Sequence, residues 1–214
     1  EEYIENAWVK NDIIQPVRYQ FNAAPLTDQG KSYNYLIGGL GYKILNEKEV
    51  SVTGLGAALN VVQIPSTVAI NDKIYKVTTI DQSAFSADKE ITDVIFGNNV
   101  TTIEKQAFYQ CPNLRTIRFG TKVTKIGSNA FAECAKLKNF TLPASVKRID
   151  TKAFYQCPAV KTVKINSTAL EYVGKKGLAV NKTVTMKLPK KLFTKYQKMI
   201  KASSVYPKTK FIKS

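Results

Sequence analysis

Three cysteines are the side chains in this sequence best suited to redox chemistry. Cys111, Cys134 and Cys157 follow one another at intervals of 23 residues. If segments of that length stack at the strand spacing of about 4.8 Å, neighbouring Cα atoms come within disulfide range. Cysteine is also a small hydrophobe that is commonly buried, and each of these lies on the apolar side of its segment. We expect three free, buried thiols, with a disulfide as the alternative.

Three carboxylates share another position of the same interval. Asp81, Glu104 and Asp150 occupy it, and Gly127 interrupts the series. A glycosidase needs two carboxylates about 5–9 Å apart across a cleft. This position, however, begins a predicted helical turn, where the helix dipole stabilises an acid. We therefore interpret the series as structural.

Histidine is absent from the chain, and so is any C-x-x-C motif. The first absence excludes Ser-His-Asp and Cys-His catalytic sites and zinc motifs built on two histidines. Together they make a zinc site unexpected. We expect no catalytic residues, no metal, no cofactor and no enzymatic activity.

The interval that relates these residues is a repeat of the whole chain. The motif I-x-x-x-A-F begins at Ile80, Ile103, Ile126 and Ile149, and eight columns keep the period of 23 residues. The alternation around Ile117 and Phe119 predicts a strand, and Val100–Ile103 predicts a shorter one. The spacing from Ile103 to Cys111 predicts a short helical turn. No repeat can bury its own apolar side, so neighbouring repeats must stack into continuous ladders.

The fuller pattern I-x-x-x-A-F-x-x-C-x-x-L-x-x-I-x-F resembles the BspA-like bacterial leucine-rich repeat family. The resemblance is strong over 77–165 and extends over about 41–214. It implies a leucine-rich repeat solenoid of right-handed, 23-residue coils, mostly β with short helical turns. It also implies a secreted or cell-surface protein, since most members of the family are secreted or attached to the cell surface, and some are adhesins.

The repeats divide the chain into a 41–214 repeat domain and a 1–40 N-terminal segment, which is a tail or part of a cap. A short helix over 1–14 is one interpretation of that segment. Within the domain we predict an N-terminal β cap over 41–76, regular repeats over 77–165 and a C-terminal cap over 166–214. The first cap should contain a hairpin that turns at Asn71-Asp72. The second should contain an amphipathic helix with apolar residues at Leu192, Phe193, Tyr196, Met199 and Ile200.

The charge of the chain is concentrated in its second half. The net charge is +16, and residues 108–214 hold 23 of the 32 basic side chains but only three of the 16 acidic ones. Such asymmetry favours a polyanion partner, either an acidic glycan or a nucleic acid. A lysine-rich surface that serves solubility alone is the alternative.

The outward positions of the longer strands are the best candidates for partner binding, because solenoids bind through repeated faces. The candidate residues on these strands and beside them are Arg115, Thr116, Arg118, Lys138, Asn139, Thr141, Lys161, Thr162 and Lys164.

These features predict a non-enzymatic extracellular recognition or adhesion module. Its partner would be a protein or glycan on a host or neighbouring cell surface. A polyanion binder and a structural spacer without a ligand are the alternatives. We expect a monomer with no transmembrane segment, and this sequence shows no signal peptide.

Overall fold

The computed structural model describes residues 35–214 continuously and four short strands before them. These strands are β1 (Val9–Lys10), β2 (Ile13–Ile14), β3 (Thr27–Asp28) and β4 (Lys31–Ser32). The strands pair β1 with β2 and β3 with β4, both antiparallel. The suggested helix over 1–14 is therefore wrong where β1 and β2 lie, and its other residues fall outside the described part of the chain.

The first part of the repeat domain is a β cap, as predicted. Strands β5 (Tyr35–Ile37), β6 (Leu40–Ile44) and β7 (Glu49–Leu55) form an antiparallel meander. Strands β9 (Thr67–Ile70) and β10 (Lys73–Ile80) form the predicted hairpin. Its turn residues Asn71 and Asp72 have φ values of 48° and 62°, which Asn and Asp tolerate better than most residues.

Two series of strands build the solenoid. The longer series contains β8 (Val61–Ile64), β11 (Asp93–Phe96), β13 (Thr116–Arg118), β15 (Phe140–Leu142), β17 (Thr162–Ile165), β19 (Thr185–Leu188) and β20 (Lys210–Lys213). The shorter series continues from β10 through β12 (Thr102–Ile103), β14 (Lys125–Ile126), β16 (Arg148–Ile149) and β18 (Tyr172–Val173). Paired strands within each series are parallel and pair equivalent residues of successive repeats, such as Ile103 with Ile126. The predicted strands are thereby confirmed.

The segment that leads from each shorter strand to the next longer strand differs from the predicted helical turn. It consists of tight turns in which non-glycine residues adopt positive φ, for example Gln106 at 58° and Gln110 at 55°. The N–H groups of these two residues donate to the carbonyls of Ser128 and Ala132 in the next repeat, each at 2.9 Å. An α-helix would use such groups within one repeat, whereas here they join neighbouring repeats.

The C-terminal cap closes the end of the stack. A 3₁₀ turn (Lys190–Leu192) leads into the helix α1 (Phe193–Ala202), which confirms the predicted amphipathic helix. Tyr196 and Ile200 are buried, and the Tyr196 hydroxyl accepts a 3.0 Å hydrogen bond from the Leu170 N–H. No helix among the described residues is both long and apolar enough to cross a bilayer.

The core consists of ladders of identical or similar side chains. Phe85, Phe108, Phe131 and Phe154 are buried and stack with ring centroids 4.7–5.2 Å apart. The inward side chains of the longer strands, such as Val94 and Ile117, are also buried. The outward side chains of the same strands consequently take no part in the core, so they can contact a partner.

Candidate functional site

The strand face is the outer surface of the longer strand series, from β8 to β20. Two rows of outward side chains cross it at one residue per strand. The members of one row are Gln63, Ile95, Arg118, Thr141, Lys164, Lys187 and Ile212. Those of the other are Val61, Asp93, Thr116, Thr162, Thr185 and Lys210, with no member on β15 itself. The N–H of Lys138 donates to the Arg115 carbonyl at 2.9 Å, so the face continues between β13 and β15.

Five of the nine predicted residues lie on strands of this face, and the other four, Arg115, Lys138, Asn139 and Lys161, lie just before these strands. Those on exposed positions are Arg115, Arg118, Lys138, Asn139, Thr141, Lys161 and Lys164, whereas Thr116 and Thr162 are half-buried. Their role in binding a partner stays a prediction.

Asn139 differs from the other candidates because it has a structural task. Its Oδ1 accepts hydrogen bonds from the N–H groups of Lys161 and Thr162, each at 2.8 Å. These bonds join the start of β17 to Asn139, the residue directly before β15. Replacing Asn139 would therefore disturb the backbone as well as any ligand contact.

Two lysines that the sequence analysis missed extend the strand face into the C-terminal cap. Lys187 pairs in register with Lys164, and Lys210 pairs with Thr185. The signal for Lys187 was present, since it lies one 23-residue period after Lys164. No such signal existed for Lys210, because the last step from Thr185 is 25 residues long.

The strand face carries cations without matching acids over most of its length. The three acids of residues 108–214 lie elsewhere: Glu133 binds Tyr109 and Gln110, Asp150 pairs with Arg148 at 2.6 Å, and Glu171 precedes β18. Among the described residues, the only ion pairs are Arg148–Asp150 and Lys125–Glu104. The cations of the strand face are thus left without an ion-pair partner within residues 35–214.

Asp93 is the one carboxylate on the strands of this face. It lies at the N-terminal end, on β11. Hydrogen bonds from Thr92 and Thr116, together with the charges of Arg115 and Arg118, hold its pKa below the usual value. An ionised Asp93 therefore marks a change of potential, from mixed charge at β11 to purely positive charge beyond it.

The three carboxylates that share one repeat position, Asp81, Glu104 and Asp150, directly follow the strands β10, β12 and β16 of the shorter series. Glu104 lies 3.1 Å from Lys125, and Asp150 lies 2.6 Å from Arg148. Asp81 is partly buried, and burial raises its pKa. Two of the three carboxylates thus have basic partners, which supports the structural interpretation over a catalytic one. No group of three or more metal-ligating side chains occurs among the described residues.

The three cysteines are free and buried, so the disulfide alternative is wrong for this structure. Each Sγ donates to a phenylalanine carbonyl of the preceding repeat: Cys111 to Phe85, Cys134 to Phe108 and Cys157 to Phe131, at 3.0–3.2 Å. The neighbouring Cys134 thiol, followed by burial, raises the pKa of Cys111. Burial raises the pKa of Cys157 to about 12. The raised pKa values keep Cys111 and Cys157 protonated, and all three buried thiols are structural groups rather than nucleophiles.

We expect the native protein to resist thiol reagents. Because the thiols are buried, labelling at neutral pH should require unfolding, after which three equivalents react. A disulfide-exchange reagent that releases a coloured thiolate measures this directly, with and without denaturant. Rapid labelling of the native protein, or only one equivalent after unfolding, would contradict the described thiol environment.

Comparison with known proteins agrees with the geometry. A family model described as the BspA-type leucine-rich repeat region matches residues 59–205 in six copies. The chain belongs to the BspA-type leucine-rich repeat family. The match includes all the regular repeats and helix α1. The search of curated proteins finds no match.

Several solved structures of bacterial proteins share the leucine-rich repeat fold. A leucine-rich repeat protein of Bacteroides capillosus is 26% identical, with a TM-score of 0.56, over 61% of this chain and 96% of that one. A leucine-rich repeat protein of Bacteroides ovatus is 25% identical, with a TM-score of 0.53, over 73% of this chain and 48% of that one. The pneumococcal vaccine antigen PcpA is 12% identical, with a TM-score of 0.52, over 86% of this chain and 46% of that one. At 12% identity the last similarity shows the fold alone.

Proposed function

We propose that this BspA-type repeat protein is a non-enzymatic extracellular recognition module that binds a macromolecular partner through the strand face. The observation that carries the proposal is that the two sides of the longer strands serve different purposes. Inward side chains build the core, while the outward ones form a continuous surface of which Asn139 alone among the nine candidates is tied to a neighbouring backbone. Solenoids use such surfaces for binding.

The family supports the remaining parts of this proposal. BspA-type proteins are in general binding modules rather than enzymes, and the fold is shared with bacterial surface-type proteins. We infer a secreted or cell-surface location and a protein or glycan partner on a host or neighbouring cell. A monomeric state and domain limits at residues 40 and 76 also stay predictions.

A bulky substitution at the centre of the strand face tests the proposal without changing charge. Thr141 is exposed in the middle of the face, between Arg118 and Lys164. Thr141→Trp should weaken binding to ligands on an array of matrix proteins, acidic glycans and nucleic acids by about tenfold or more, because the indole blocks close approach.

The matched control places the same substitution on the other strand series. Thr102 lies on β12 and pairs with Thr79 and Lys125. Thr102→Trp should leave the affinities within about twofold. Equal losses in both variants would show that the strand face is not the binding surface. An array without any ligand at physiological salt would favour the structural spacer.

A further inference from the structure

We propose that the partner of the strand face is a linear anionic polysaccharide that lies across the strands from β13 to β20, along the axis of the repeats. The inference rests on the proposed use of the strand face and names the chemical class of its ligand. It is carried by the order of charges, by the uncharged groups between them and by the acidic end of the face.

The first argument is that the cations form rows. Arg118, Lys164 and Lys187 belong to one row, with Thr141 between the first two. Arg115, Lys138 and Lys161 precede β13, β15 and β17 and form a further row beside the two rows on the strands, with one residue per repeat. Because neighbouring strands lie about 4.8 Å apart, each row offers positive charges at intervals of about 5–10 Å. A polymer with a regular series of anionic groups can bind several of them at once.

The second argument is that Asp93, near Arg115 and Arg118, is the one carboxylate on the strands of the face, and none lies from β13 to β20. Lys210 adds a seventh positive charge at the last strand, and every acid of residues 108–214 lies away from the face. Side chains of like charge in one surface raise the local potential, and a polyanion that binds there releases its condensed counterions. Such a ligand would therefore benefit from the arrangement of charge as well as from its amount.

The third argument distinguishes a polysaccharide from a nucleic acid. The outward positions between the cations are occupied by Thr116, Thr141, Thr162 and Thr185. Threonine hydroxyls donate and accept hydrogen bonds, as the hydroxyls of a sugar do. Within β8 to β20, no aromatic side chain occupies an outward position. Single-stranded nucleic acids are bound largely by stacking on aromatic rings, so this face favours a sulfated or uronic polysaccharide.

The fourth argument fixes where the ligand ends. Asp93 lies opposite Thr116 and near Arg115 and Arg118, and the apolar Ile95 and Val61 follow towards β8. An ionised carboxylate repels an anionic polymer, while this end offers it no cation. The polysaccharide should consequently extend from β13 towards the C-terminal cap and not towards β8.

The test compares two variants that each remove three positive charges. In the face variant, Arg118→Gln is combined with Lys164→Gln and Lys187→Gln. In the control, Lys191→Gln, Lys195→Gln and Lys198→Gln remove three exposed lysines from the C-terminal 3₁₀ turn and helix. Heparin, polygalacturonate, uncharged dextran and a single-stranded oligodeoxynucleotide serve as probes, with affinity measured at several salt concentrations.

We expect the full chain to bind heparin and polygalacturonate but not dextran, and to bind the oligonucleotide more weakly. The face variant should lose about tenfold in affinity at 0.15 M salt, and its salt slope should fall by about 2–3, roughly one unit per lost contact. The control should keep the slope of the unmodified chain. Asp93→Asn should strengthen binding slightly, since it removes the repelling charge.

The outcomes separate this inference from the proposed function. If both triple variants lose affinity equally, the charge acts diffusely and the polysaccharide site is wrong. If the oligonucleotide binds more tightly than either polysaccharide, the ligand class is wrong. If no polyanion binds at 0.15 M salt but Thr141→Trp abolishes binding of a protein ligand, the inference fails and the proposed function stands.

Discussion

Phe131→Ala should lower the free energy of unfolding by about 3–5 kcal/mol, because it removes a large buried side chain and leaves a cavity. Phe131 is fully buried and stacks between Phe108 and Phe154, each with a centroid distance of 5.2 Å. The Phe96 and Phe119 rings lie perpendicular to the Phe131 ring, with centroids 6.4 and 5.9 Å from its centroid. Two neighbouring repeats therefore lose a partner at the same time.

Denaturant unfolding followed by circular dichroism measures this loss. Phe211→Ala is the control, because it deletes the same ring at a half-buried position on the last strand. We expect the control to lose clearly less stability than Phe131→Ala. Similar losses in the two variants would show that Phe131 is no more deeply buried than Phe211, contrary to the described core.

The strand ladders were predictable from sequence because their cause is local. Inward and outward residues alternate on a strand, and the period of 23 residues assigns each to a column. Val94, Ile117, Phe140 and Val163 thus lie side by side, as their column predicts. The hairpin at Asn71-Asp72 was equally predictable, because its turn residues carry their own conformational preference.

The tight turns were not predictable from apolar spacing. Gln106, Gln110, Glu133 and Lys152 adopt positive φ, which costs a non-glycine residue on the order of 1–3 kcal/mol. Hydrogen bonds to the next repeat offset that cost, as for the Glu133 N–H and the Tyr155 carbonyl at 2.8 Å. Since the acceptors lie 22 or 23 residues away in sequence, a local pattern cannot reveal them.

The candidate site was likewise predictable from the sequence only in part. The positions of Arg118 and Lys164 on one face followed from strand alternation and the repeat period. The structural task of Asn139 did not, because its acceptor atom serves N–H groups 22 and 23 residues further along the chain. Lys210 was missed because the irregular last step of the stack breaks the period, although the strand pairing persists.

Gly120→Ala should also be strongly destabilising, although the added group is a single methyl. A Cβ at this position would lie 2.3 Å from the Gly97 carbonyl oxygen and 2.9 Å from its carbon. Both atoms belong to the backbone of the preceding repeat and cannot rotate away. Neighbouring coils would have to move apart, and we expect a loss of about 3 kcal/mol in the free energy of unfolding.

Gly56→Ala is the matched control for this prediction, because its added methyl meets a side chain instead of backbone. Its Cβ would lie 2.2 Å from Cδ1 of Leu36, and Leu36 is 40% exposed, so that side chain can change rotamer. Alanine also restricts the unfolded chain, which favours folding by about 0.4–1 kcal/mol. Gly56→Ala should therefore stay within about 1 kcal/mol of the unmodified chain. Thermal and denaturant unfolding measure both variants. If Gly120→Ala loses as little stability as Gly56→Ala, the backbones at Gly97 and Gly120 do not approach each other as closely as the structure shows.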